Sequence, residues 1–117
     1  MSGEKQRPAR YRLTFALDVP ADLVAVQQAD PAALDAAQAI FDDLAHGRVQ
    51  GKLLGERRVS GDLTGLARVK FDIPSQRPRR FRLIYRQVDD DTRHVIAIGV
   101  RDEHAIYRTA VHRVAKA

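Results

Sequence analysis

Apolar and polar positions along the chain change period several times. In "RYRLTFALD" they alternate, with Tyr11, Leu13 and Phe15 on one side and Arg12 and Thr14 on the other, the period of a strand. "VPADLVAVQQAD" reads as one or two helical turns, with Pro20 tolerated near the start. "DPAALDAAQAIFDDLAHG" is the clearest helix. Ala33, Leu34, Ala37, Ile40, Phe41 and Leu44 form one stripe at i, i+3, i+4 spacing. Asp30 suits the N-cap, Pro31 the first helical position and Gly47 the position past the end. "GRVQGKLLGERRVSGDLTG" has no clean period and reads as a long loop with room for a short strand.

Alternation returns from Leu66 to Ile73, from Arg80 to Val88 and from Arg93 to Arg101, with "PSQRP" and "DDDT" as the two turns. The run "VIAIGV" is apolar on both sides and suits a central strand. "EHAIYRTAVHRVAKA" then predicts a C-terminal helix with Ile106, Ala110, Val111 and Val114 on one side. The order is β-α-α-β-β-β-α. It predicts an α+β fold, a small, mostly antiparallel sheet with helices packed on one face. Residues 1–9 read as a flexible tail, and residues 10–117 as a single domain.

Charge changes the picture more than composition does. The net charge is +5, which favours a polyanionic partner. From Leu17 to Gly47 there are six Asp and no Lys or Arg, whereas from Arg48 to Arg86 eleven Lys and Arg stand against three acids. The split implies one positive face. Absent cysteine removes disulfides, thiol catalysis and Cys-based zinc sites, and fits a reducing cytoplasm, the expected location. Neither a signal peptide nor a membrane span is expected. His94 and His112 lack metal-like spacing, and no metal or small-molecule cofactor is expected. His46 falls in the last turn of its helix, where positive charge suits the dipole.

Period-two geometry places these cations. Ala67, Val69 and Phe71 share a face, and Arg68, Lys70 and Asp72 share the other. In the next strand Phe81, Leu83 and Tyr85 oppose Arg80, Arg82, Ile84 and Arg86. If Ile96, Ile98 and Val100 join the core, then Ala97, Gly99 and Arg101 lie on the basic face, where the two small residues leave a shallow trough. Like charges on adjacent strands repel. The clustered set therefore reads as a phosphate-binding surface, the competing reading being a solvated face of long side chains.

The segment "LTGLARVKFD…RRFRLIYRQVDDDTRHVIAIGVRDEHAIYRTAVHRV" resembles the C-terminal half of the RelE/ParE superfamily of bacterial toxins, over roughly residues 62–114. The resemblance rests on "FRLIY", "VIAIGVRDEHAIY" and the basic strand before them. The first strand and paired helices agree only in order and character. The RelE branch implies a ribosome-dependent endoribonuclease that cuts mRNA. It also implies a cognate antitoxin, expected to be an acidic, partly disordered chain that covers or distorts the basic trough. Carried over by position, the resemblance assigns the catalytic set to Arg68, Lys70, Arg82, Arg101 and Tyr107. Arg68 stands where that branch has a lysine, and "IPSQRPRR" is a longer hairpin connection than in shorter members. The alternative is a ParE-like inhibitor of DNA gyrase, or an inactive nucleic-acid-binding relative.

Under the nuclease reading the RNA 2′-OH is the nucleophile. Lys70 is the expected base, because arginine stays protonated and neighbouring cations disfavour a charged lysine. Arg68 and Arg82 are expected to clamp phosphate, Arg101 to stabilise the transition state or donate a proton, and Tyr107 to stack on a base or orient the nucleotide. Arg80, Arg86 and His104 are further substrate-side candidates. His104 rivals Lys70 as acid–base, its competing reading being an exposed residue at a helix start. Arg77, Arg79 and Arg80 are candidates for holding ribosomal RNA.

Overall fold

The computed structural model describes residues 8–57, 61–73, 81–100 and 105–116. Its elements are β1 (Arg12–Phe15), α1 (Val19–Ala29), α2 (Ala32–Ala45), β2 (Lys52–Leu53), β3 (Glu56–Arg57), β4 (Gly61–Asp62), β5 (Leu66–Phe71), β6 (Phe81–Asp89), β7 (Thr92–Val100) and α3 (Ala105–Lys116). The five-stranded sheet runs β1-β7-β6-β5-β2, and β3 and β4 form a separate ribbon. Only the β1–β7 pairing in the large sheet is parallel. The fold is therefore α+β with a mostly antiparallel sheet, as the periodicity predicts. The expected tail falls mostly before the described residues.

The β6–β7 hairpin is the centre of the sheet. At its tight turn the Asp89 carboxylate accepts the Asp91 N–H at 2.8 Å, a side chain imitating a backbone turn. Along the hairpin, Ile84 pairs with Ala97 but Tyr85 pairs with Val95, so Ile96 is an extra residue in a bulge. The bulge corrects the simple alternation expected for β7. Val95 and Ile98 join the core under α1 and α2, with Val100 packed against it, while Ile96 and Ala97 both turn to the opposite side.

The core on the α1–α2 side joins Val69, Phe71, Phe81, Leu83 and Tyr85 to Val19, Val26, Ala33, Ala37 and Leu44. Of the expected α2 stripe, Ala33, Ala37 and Leu44 are buried and Ile40 and Phe41 pack against the core, while Leu34 stays outside it. The helix starts at Ala32 with Pro31 as its N-cap, one residue later than expected, and Gly47 takes the left-handed conformation (φ 72°) past its end. α1 is 11 residues long, more than the one or two turns expected. Beyond α2 the chain crosses Tyr85 at Gly51, whose N–H donates to the Tyr85 hydroxyl at 2.9 Å. A Cβ there would lie 2.7 Å from the Tyr85 ring and 2.9 Å from the Arg68 carbonyl, so only glycine permits the approach.

α3 packs on the other face of the sheet. Ile106, Tyr107 and Ala110 cover Leu66, Ile84, Ile96 and Ala97 in a second core. The face expected to lie open is thus roofed along its middle. Burying Ile106 contributes roughly 2 kcal/mol, and a polar latch adds to it. β1 pairs with β7 only as far as Val95. Beyond it, Arg113 donates to the Ile96 carbonyl at 2.8 Å and to both Asp22 oxygens at 2.6 and 2.8 Å, while Asp22 accepts the Ile98 N–H at 3.1 Å. One ion pair therefore ties α1, α3 and the uncovered edge of β7 together.

Candidate functional site

Strand register gathers the basic side chains. Lys70 stands opposite Arg82 and Arg68 opposite Ile84, while Lys52 stands opposite Arg68 and Arg82 opposite Gly99. Residues directly paired across antiparallel strands point to the same face. Lys52, Arg68, Lys70 and Arg82 therefore share the α3 side of the sheet, at the end where α3 begins. The first turn of α3 lies over Gly99, where an added Cβ would come within 3.4 Å of Ile106. It brings Tyr107 into the same cluster.

The tyrosine hydroxyl is the focus of the cluster. Arg68 donates to it at 3.3 Å, and the Arg82 guanidinium is its second hydrogen-bond partner. Arg82 also donates to the Phe81 carbonyl at 3.0 Å. Burial pushes the Tyr107 phenol up. Hydrogen bonds from Arg68 and Arg82, with the charge of both guanidiniums, outweigh it and hold the phenol below its ordinary pKa.

Burial divides the set into two layers. Tyr107 is 4% exposed and Arg82 5%, whereas Arg68 and Lys70 are half-buried and Lys52 is exposed. The outer, solvent-facing layer is Lys52, Arg68 and Lys70, with the buried Arg82 and Tyr107 as the inner one. The expected stacking of a base on Tyr107 finds no open ring face in this arrangement, and it is the hydroxyl that is engaged. Ala97 is fully buried under α3, so the expected trough is filled at that point, and Gly99 stays half-buried.

Arg86 does not join the cluster. It pairs with His94, four residues along β6 from Arg82, a separation of roughly 13 Å at strand rise. Burial first, then the charge of Arg86, lowers the pKa of His94, whose Nδ1 lies 2.7 Å from the Thr14 hydroxyl. Arg101, His104 and Arg80, with Arg77 and Arg79, lie outside the described residues. His46 caps the end of α2 and donates to the Asp42 carbonyl at 3.0 Å. Sequence reasoning misses Lys52, because β2 is two residues long and carries no period of its own.

No protein-family model matches the chain, and no curated protein matches it. Among solved structures it is similar to the Escherichia coli toxin RelE in the free state, in a form carrying two arginine-to-alanine substitutions. The TM-score is 0.54 at 20% identity, over 91% of this chain and 98% of that one. At that identity the likeness is one of fold. Among the described residues no helix is long and apolar enough to cross a membrane.

Proposed function

We propose that this chain is the toxin of a toxin–antitoxin pair, a ribosome-dependent endoribonuclease that cuts mRNA through the RNA's own 2′-OH. The observation that carries this reading is the convergence of Arg68, Lys70, Arg82 and Tyr107 on one end of the sheet, around a phenol acidified by two guanidiniums. The RelE-like fold supports the toxin assignment. In the proposed reaction Lys70 takes the 2′-OH proton. The 2′-oxygen attacks phosphorus, the bond to the 5′-oxygen breaks, and a 2′,3′-cyclic phosphate and a 5′-OH result. Arg68 and Lys52 bind the phosphate, while Arg82 orients Tyr107 from below. The leaving oxygen needs a proton, and the Tyr107 phenol is the group whose acidity the site raises. The resemblance adds Arg101 as a transition-state stabiliser.

The test is expression in growing bacteria without an antitoxin, followed by mapping of mRNA 5′ ends. New ends confined to translated regions are expected. Lys70→Ala and Arg68→Ala should each reduce their yield by on the order of 100-fold, the usual scale of a lost acid–base or charge-stabilising group. Full toxicity of Lys70→Ala would sink the nuclease reading, and toxicity with intact mRNA and arrested DNA supercoiling would favour gyrase.

A further inference from the structure

Tyr107 reaches the cationic cluster only because α3 lies where it does, and its hold there is slender. Its hydroxyl meets Arg68 at 3.3 Å, the long end of the hydrogen-bond range, so a retreat of about half an ångström by the helix breaks the contact. A 12-residue helix is marginal on its own in water, so contacts with the rest of the molecule decide its place. Ile106 and Ala110 pack on Ile84, Ile96 and Ala97, with Ile106 also over Gly99. Apolar contacts are non-directional, and Ala97, Gly99 and Ala110 offer no bulky ridge against sliding. The directional contacts come from Arg113. It follows Ile106 and Ala110 at i, i+4, i+7 spacing and so ends the same stripe, roughly 9 Å along the helix from Tyr107.

The Arg113 guanidinium takes both Asp22 oxygens, at 2.6 and 2.8 Å, and the Ile96 carbonyl, while Asp22 takes the Ile98 N–H. Both side chains are only 16% exposed, and Asp18 adds a weaker contact to Arg113 at 3.5 Å. Ile96 is the bulged residue of β7, and Ile98 lies two positions on. The main-chain groups gripped by the pair therefore flank Ala97, part of the floor on which Ile106 and Tyr107 rest. A planar fork on a carboxylate constrains angle as well as distance. We infer that Asp22 and Arg113 are positioning residues for Tyr107: by fixing the rotation and slide of α3 over the β7 bulge, they hold its hydroxyl between Arg68 and Arg82. The functional half of this inference rests on the nuclease reading, under which a misplacement of about 1 Å costs on the order of 100-fold in rate. The positional half needs no such reading, because the phenol reports its own surroundings.

The experiment compares Asp22→Asn, Arg113→Lys and Val26→Ala in the full chain. Asp22→Asn keeps the size and removes the charge, whereas Arg113→Lys keeps the charge and removes the fork. Val26→Ala is the control, because Val26 is fully buried in the core on the other face of the sheet and its truncation lowers stability away from α3. NMR of ring-labelled tyrosine follows the Tyr107 titration at a temperature where circular dichroism shows each variant folded. Both latch variants should move that titration to higher pH, as loss of the guanidinium contacts requires, and Val26→Ala should leave it in place. The yield of new mRNA 5′ ends should fall about 10- to 100-fold in both latch variants. Either variant suffices if the other does not fold. An unmoved titration in a folded latch variant would overturn the inference, and so would an equal shift in Val26→Ala. Undiminished cutting by a variant whose phenol has moved would overturn the functional half. A moved titration in a protein whose wild type cuts no mRNA would instead count against the nuclease reading and uphold the positioning role.

Discussion

Arg93 and Arg82 are both buried arginines on adjacent central strands, and their surroundings are opposite in kind. Arg93, 1% exposed, points toward the C-terminal end of α2. It donates to the carbonyls of Leu44 and Val49 at 3.0 Å each, and to the side chains of Gln87 at 3.0 Å and Gln50 at 2.8 Å. The Tyr11 and Tyr85 rings lie 3.9 and 5.2 Å from its guanidinium carbon. These contacts suit a cation at the carbonyl end of α2. Arg82 instead shares its face with Arg68, Lys70 and Lys52, and its guanidinium meets a phenol. Neutral oxygens and aromatic faces make a buried cation a structural pin. Crowding a buried cation with others makes a site that an anion would stabilise.

Removing each charge in turn should separate the two roles most sharply. Arg93→Met leaves the Leu44 and Val49 carbonyls and two glutamine side chains to find other partners. It should cost about 3 kcal/mol, a fall in Tm of ~15 °C for a domain of this size, measured by thermal or urea unfolding. Arg82→Met relieves repulsion as well as losing hydrogen bonds, so its stability should change by no more than about 1 kcal/mol. Under the proposed nuclease reading, mRNA cutting by Arg82→Met should nevertheless fall with that of Lys70→Ala. Equal destabilisation by the two substitutions would erase the distinction.

A smaller effect sharpens the cationic side. Because guanidinium contacts hold the Tyr107 phenol below its ordinary value, Arg68→Gln should move its titration to higher pH, followed by NMR of ring-labelled tyrosine. An unmoved titration would mean that Arg68 does not govern the phenol.

The smallest effect concerns His94, whose folded pKa is depressed by burial and by Arg86. The unfolded chain then binds the proton more readily. The stability contributed by neutral His94 is present above the unfolded value and is lost as pH falls through it toward the lower folded value. Wild type should therefore lose more stability than His94→Gln between neutral and mildly acid pH, as urea melts across that range would show. Parallel losses would mean that this imidazole is not linked to folding.

What the chain announces in advance is the part governed by neighbours in sequence. The α2 stripe ends at Gly47, and the strand parity of Arg68, Lys70 and Arg82 shows directly in the spacing. The parity of β7 does not, because one bulged residue, Ile96, reverses the facing of the positions beside it. α1 reads short in sequence because its apolar residues are spread around it, with Val24 exposed and Val26 buried. The face chosen by α3 depends on Asp22 meeting Arg113, 91 positions away, and no local pattern encodes such a pair. Arg93 carries a usable signal, since it shares parity with Val95, but a charged residue beside a turn is more readily read as solvated. In the candidate site, the basic strand positions are legible. The burial of Tyr107 and the contribution of Lys52 are not, because both arise from packing between distant segments.

The Asp22–Arg113 pair has a consequence for self-association. Past Val95, no strand among the described residues lies beside β7 on its outer flank, and an open flank of this kind is a template on which a second molecule can grow a sheet. By occupying the Ile96 oxygen and the Ile98 amide, the pair denies that template its main-chain groups. Lifting α3 would bare them together with the oily residues beneath, giving a second copy main-chain groups on which to add a strand.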